Sequence, residues 1–128
     1  GSETLISTLE AVKNSYNSYT MDSLALAVGE ASIRDEAYFR ETCRKVAVTR
    51  DRAADELRAL GFEVTPSLAN FLFATHPKKA APEIFSALRE KGIFIRYFKL
   101  PRIDNHLRIT VGTDEQMDAL IAALKQIL

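Results

Sequence analysis

The chain has 128 residues, 47% hydrophobic and 27% charged, a composition that argues against disorder and against a membrane-spanning protein. Seventeen basic residues balance seventeen acidic ones, so the strong positive field expected of most nucleic-acid binders is missing. The lone cysteine, Cys43, excludes an internal disulfide; with no metal-ligand spacing around it, it reads as a small core residue.

No charged leader or apolar secretory stretch opens the chain, which makes a cytoplasmic setting the default expectation. Gly1-Ser2 stands where an initiator methionine would and reads as a scar of tag removal (residues 1–2). From Glu3 to Lys13, Leu5, Leu9 and Val12 fall at helical spacing and predict a short amphipathic helix. The run Asn14 to Thr20 is rich in side chains that compete for backbone hydrogen bonds and predicts an ordered loop. Asp22 can cap a second helix over Ser23 to Asp35. That helix opens Leu24-Ala25-Leu26-Ala27-Val28-Gly29, with no polar face before Glu30, so it calls for protein on several sides. Residues 3–35 are therefore expected to pack on, or belong to, a layer this chain does not supply.

From Glu36 to Leu60, Phe39, Cys43, Val46, Ala53, Leu57 and Leu60 recur at alternating helical steps, with Arg50 interrupting the stripe and Gly61 as the stop. Such a helix would reach about 38 Å at 1.5 Å per residue, long enough to link two domains. A coiled coil is the lesser option, given the charge in the stripe.

Strand candidates follow at Phe62-Glu63-Val64 and Ala69 to Thr75, then a helix with Pro82 in its first turn, carrying Ile84, Phe85 and Leu88 and ended by Gly92. Ile93 to Phe98 reads as another strand. His106 to Gly112 alternates, with Leu107, Ile109 and Val111 on one face and His106, Arg108 and Thr110 on the other. Thr113 and Gln116 form the capping box of a last helix whose buried stripe is Met117, Leu120, Ile121, Leu124 and Ile127. The fold class expected is α/β, in its α+β form. Long N-terminal helices lead into a small open-faced ββαββα sheet with helices on one side, and residues 36–128 form this small domain with its linking helix.

Arg108 is the first candidate for chemistry, because a guanidinium on a rigid strand presents a fixed fork of donors to a carboxylate or phosphate. Its plain alternative is a solvated surface arginine. Arg96 shares a strand face with Phe94 and Phe98, which could partly desolvate it; otherwise it is a snorkelling edge residue. Arginines on neighbouring strands could converge on one anion. His106 shares the face of Arg108 and could line a site, as could Asn70 at the start of an apolar strand and Tyr16 and Tyr19 in the loop. Each has a simple packing or surface alternative. No glycine-rich phosphate loop, catalytic carboxylate pair or nucleophilic triad is present, and no metal site is expected.

The run Leu107-Arg108-Ile109-Thr110-Val111-Gly112-Thr113 resembles the LRITVGT signature of histidinol-phosphate aminotransferases. Val12 to Tyr19, Ser67 to Phe73 and Gly92 to Phe98 resemble other segments of that family, in the same order and at compatible separations. The resemblance implies the fold-type-I class, in which a large domain holds pyridoxal phosphate and a small C-terminal domain closes over the substrate. It implies that Arg108 binds the acidic group of the substrate, the phosphate of histidinol phosphate or a carboxylate of glutamate, and that Arg96 assists. Tyr16 and Asn17 depart from proline-containing relatives and inherit no role. None of the seven lysines, at 13, 45, 78, 79, 91, 99 and 125, stands in the family's serine-lysine context. The expectation is therefore a catalytically silent C-terminal portion with neither catalytic nor cofactor-binding residues of its own. The whole enzyme is expected to be a homodimer that moves an amino group between histidinol phosphate and 2-oxoglutarate. A related aromatic-amino-acid aminotransferase, a threonine-phosphate decarboxylase, or a freestanding ligand-binding regulatory module are the alternatives.

Overall fold

The computed structural model describes residues 1–16 and 19–128. They form two compact units, Gly1–Phe39 and Arg40–Leu128. The first unit holds α1 (Glu3–Tyr16) and α2 (Ser23–Arg34). α1 runs three residues into the segment expected to be a loop. Ser15 donates its hydroxyl to the Ala11 carbonyl at 2.7 Å, a bond made within the helix instead of in competition with it. The rest of that expected loop includes Asn17 and Ser18, which lie outside the described residues. Asp22 caps α2 as expected, its carboxylate accepting from the Ala25 N–H at 2.7 Å. Neither helix buries a residue, and the apolar side chains of α2 stand open, Leu24 at 71% exposure.

α3 (Glu36–Ala59) supplies one wall of the second unit through Ala53, Ala54 and Leu57. Its N-terminal half does not follow the expected stripe. Phe39 and Cys43 are exposed, because burial along this helix begins only at Thr49. Cys43 is thus a surface thiol, not a core residue. Arg50, expected to interrupt the buried stripe, is itself buried at 9% exposure. Its guanidinium pairs with Asp51 at 2.8 Å and reaches the Ala69 carbonyl at 3.4 Å, so the charge is carried inward with acceptors supplied.

β1 (Glu63–Val64), β2 (Phe71–Thr75), α4 (Ala81–Glu90), β3 (Arg96–Tyr97), β4 (Leu107–Thr110) and α5 (Asp114–Ile127) complete the unit. The four strands form an antiparallel sheet in the order β1-β2-β4-β3. Leu72, Ala74, Leu107 and Ile109 enter one core cluster with Ile84 and Leu88 of α4, Leu57 of α3, and Met117, Leu120, Ile121 and Leu124 of α5. Helices therefore cover one face of the sheet and leave the other open, the architecture expected from the alternation.

Two helix ends steer the chain into strands. At Gly61, with φ +90°, its N–H donates to Arg58 and that of Phe62 to Leu57; at Gly92, with φ +76°, its N–H donates to Arg89 and that of Ile93 to Leu88. Both are Schellman closures, for which a left-handed glycine is the natural residue. β3 spans two residues instead of the six expected, and the second closure keeps the first of those six out of the sheet, since the Ile93 N–H is already committed to α4. α5 opens on its capping box, with the Thr113 N–H and Gln116 side chain at 3.0 Å and the reciprocal bond at 3.4 Å.

α3 and α5 are tied by Arg52, whose guanidinium meets Glu56 at 2.9 Å, Asp118 at 2.6 Å and Asp114 at 3.0 Å. Thr49 donates its hydroxyl to the same Asp114 carboxylate at 2.8 Å. The Thr49 hydroxyl first, and then the Arg52 guanidinium, hold the Asp114 carboxyl below the usual carboxylate range. A carboxyl whose pKa is lowered by folding adds stability above its unfolded pKa and loses it as the pH falls through the folded value. Stability of the wild-type chain should thus decline below about pH 4, and less steeply in Asp114→Asn. Chemical denaturation across an acid series checks this; identical acid limbs in the two proteins would count against it. Leu57→Ala, which empties a fully buried site, should reduce stability by about 2–5 kcal/mol with an unchanged denaturant slope.

Candidate functional site

The alternation that buries Leu107 and Ile109 turns Arg108 and His106 onto the open face of β4. β2 follows the same rule, with Leu72 and Ala74 buried and Phe71 and Phe73 half-buried on the other side. In register, Phe73 lies opposite Arg108 and Arg108 lies opposite Arg96. The open face therefore carries a cross-strand row Phe73–Arg108–Arg96, and directly opposed residues have Cβ atoms only ~5 Å apart.

The two arginines are thus neighbours on one surface, and aromatic rings bracket them. The Arg96 guanidinium lies 5.2 Å from the centre of the Phe98 ring and that of Arg108 lies 5.6 Å from it, while Arg108 also lies 5.5 Å from the Phe71 ring. His106 stacks on Phe73 with ring centres 4.7 Å apart and 9° between planes. Two side-chain atoms on this face, His106 Nδ1 and Arg108 Nε, are buried with no hydrogen-bond partner among the described residues. Because Nε is closed off, any ligand meets Arg108 through its terminal amino groups.

Like charges placed directly opposite in a sheet destabilise it, and neither arginine forms an ion pair with a carboxylate among the described residues. This arrangement can accept an oxyanion: a planar fork from β4, a second guanidinium from β3, and apolar rings that lower the local dielectric and strengthen both contacts.

The other sequence candidates are placed less tightly. Asn70 lies just before β2 and is exposed, and its defined role is a main-chain one, its carbonyl accepting from the Val111 N–H at 2.9 Å. Tyr16 ends α1 in the other unit with its side chain 93% exposed, and Tyr19 is exposed too. Of the two rings expected beside Arg96, Phe98 is there and Phe94 is 79% exposed without such a contact among the described residues. Phe71 and Phe73 were not singled out in the sequence, although the parity of β2 puts them on the face of Arg108. Asn105 was also missed. It accepts the Ala81 N–H at 2.9 Å and donates to the Thr75 hydroxyl at 3.1 Å, fixing the residue before His106.

The residues of this chain do not fit a covalent cofactor site. Lys79 donates its ammonium to the Ile127 carbonyl, Lys91 to the Gln126 side chain, Lys45 pairs with Glu41, and the remaining lysines are exposed. A Schiff-base lysine needs a desolvated or cation-flanked setting that none of them has. Among the described residues there is also no group of three potential metal ligands.

The family model for aminotransferase class I and II matches residues 1–124. The chain belongs to that family. A histidinol-phosphate aminotransferase of Dechloromonas aromatica is 54% identical over 127 residues, covering 99% of this chain and 36% of that protein. That of Acinetobacter baylyi is 54% identical over 121 residues, covering 94% of this chain and 34% of its own length. Among solved structures, histidinol-phosphate aminotransferase from Sinorhizobium meliloti, in complex with pyridoxal-5'-phosphate, superposes with a TM-score of 0.78 at 30% identity, over 94% of this chain and 34% of that one. N-succinyldiaminopimelate aminotransferase from Mycobacterium tuberculosis gives 0.70 at 26% identity, over 100% of this chain and 36% of that one. The chain thus spans about a third of the length of the curated relatives it matches.

A pair of opposed, unneutralised guanidiniums contributes little to folding. Arg108→Met, which removes the repulsion and the orphaned Nε but also the cation–π contacts, should leave stability no lower and raise it by roughly 0.5 kcal/mol at low ionic strength. Urea unfolding of the 128-residue chain checks this, and a clear loss would mark Arg108 as a structural residue.

Proposed function

We propose that this chain is the C-terminal small domain of a histidinol-phosphate aminotransferase, and that Arg108 and Arg96 bind the acidic group of its substrate. The observation that carries the reading is the in-register opposition of two arginines without carboxylate partners on the open face. A phosphate offers three oxygens: the terminal amino groups of Arg108 take two in a fork, and Arg96 reaches the third. The carboxylate of glutamate, the amino donor, uses the same fork in the other half-reaction. Phe71 and Phe73 back the site and limit competing water. Asn70, His106 and Tyr16 stand as further lining residues on the strength of the sequence reading, with His106 best supported by its stacking on Phe73.

The complete enzyme works with pyridoxal phosphate as a cytoplasmic homodimer, and its Schiff-base lysine and cofactor cradle lie in the part of the protein not represented here. The chain alone is inactive and binds no cofactor. Residues 3–35, with the uncovered apolar side chains of α2, pack on that same missing part. Supporting the substrate assignment over an aromatic amino acid is the presence of two guanidiniums, since a second one is better matched to a phosphate than to a single carboxylate.

In the full-length enzyme, Arg108→Ala should lower kcat/KM for histidinol phosphate by about 2–4 kcal/mol of transition-state stabilisation. Steady-state kinetics with histidinol phosphate and with phenylalanine test both halves of the reading. Unchanged efficiency removes Arg108 from the site, and the absence of any preference for the phosphorylated substrate removes the substrate assignment.

A further inference from the structure

We infer that Phe98 is a positioning residue of the anion subsite, a single ring that holds the guanidiniums of Arg96 and Arg108 side by side and directs their donors outward. The inference rests on the reading that these arginines bind an anion, and adds how they are kept ready for one.

The problem Phe98 solves is electrostatic. Two cations forced together by the register of β3 and β4 repel, and a carboxylate between them would be the usual remedy. A carboxylate, however, would occupy the very N–H groups a ligand needs and would repel the ligand as well. An aromatic face attracts a cation through its quadrupole while taking no hydrogen bond. Phe98 lies within 5.2 Å of one guanidinium carbon and 5.6 Å of the other, so one ring serves both charges. Phe71, 5.5 Å from Arg108 alone, completes the bracket on that residue.

Its position follows from the strand. Phe98 is two residues beyond Arg96 and so keeps its parity, immediately after the last paired residue of β3. Phe94, at the same parity on the other side, is 79% exposed and makes no such contact among the ring interactions of the described residues. Phe98 is half-buried yet is not among the side chains of the core cluster, so the fold does not explain its placement.

The test uses the 128-residue chain, inorganic phosphate as the probe, and nitrogen-15 spectra of the arginine Nε–H groups. In the wild type, the Arg96 and Arg108 signals should be displaced upfield by the ring and should respond to phosphate together. Phe98→Leu should weaken phosphate binding roughly five- to tenfold with little change in thermal unfolding, and Phe98→Tyr should restore it. If Arg108→Ala abolishes binding while Phe98→Leu binds as the wild type does, Phe98 has no positioning role and the anion site stands. If the wild type itself shows no response at either arginine, or Arg108→Ala binds equally well, the anion-site reading falls and this inference with it. Should Phe98→Leu fail to fold, the ring-current displacement in the wild type decides: signals at ordinary arginine positions would overturn the shared-ring arrangement.

Discussion

Burying Leu107 and Ile109 leaves the backbone of β4 one choice for the residues between and before them. Because side chains alternate across a strand, sending these two into the cluster of Leu57, Leu88 and Leu124 turns Arg108 and His106 to the uncovered side. A slip of one residue would bury a guanidinium and expose an isoleucine, so the apolar core also polices the site. Pairing with β3 then fixes Arg96 beside Arg108, and pairing with β2 fixes Phe73 on the other flank. The chemistry of the open face is in this sense decided on the covered one.

That face is built against stability. Opposed cations on β3 and β4, a buried Arg108 Nε without an acceptor and a buried His106 nitrogen in the same condition each work against folding. Two arginines of α3 are placed differently. Arg52 meets three acidic residues, and Arg50 goes inward only with Asp51 and a carbonyl in reach. The contrast between neutralised arginines on α3 and unneutralised ones on β3 and β4 is what the proposed anion site rests on.

Much of this was legible in the residues. The alternation from His106 to Thr110, the capping box at Thr113, the stop glycines 61 and 92 and the cap at Asp22 are local signals that the structure keeps, whereas the local loop signal at Asn14 to Tyr16 gave way to the last turn of α1. What could not be read depends on partners distant in sequence. The Ile93 N–H is taken by α4 before β3 can use it, and buried Arg50 reaches the carbonyl of Ala69, 19 residues on. Cys43 sits on a helical stripe that looks continuous but has core beneath it only from Thr49 onward. Half of the aromatic bracket escaped for a different reason: Phe98 was expected beside Arg96, but Phe71 and Phe73 read as generic strand hydrophobics until the register showed which cations they face. Family membership came through motif order, since neither arginine alone distinguishes an anion site from a wet surface.

Asn105 carries a last consequence. α4 begins at Ala81 without a side-chain cap of its own, and its Ala81 N–H is satisfied by an amide supplied from the turn before β4. The same amide holds Thr75 at the end of β2. The first turn of the helix, the exit of one strand and the entry of another therefore share one side chain. The tie lies one residue before His106, so the same amide anchors the turn from which β4 and Arg108 set out.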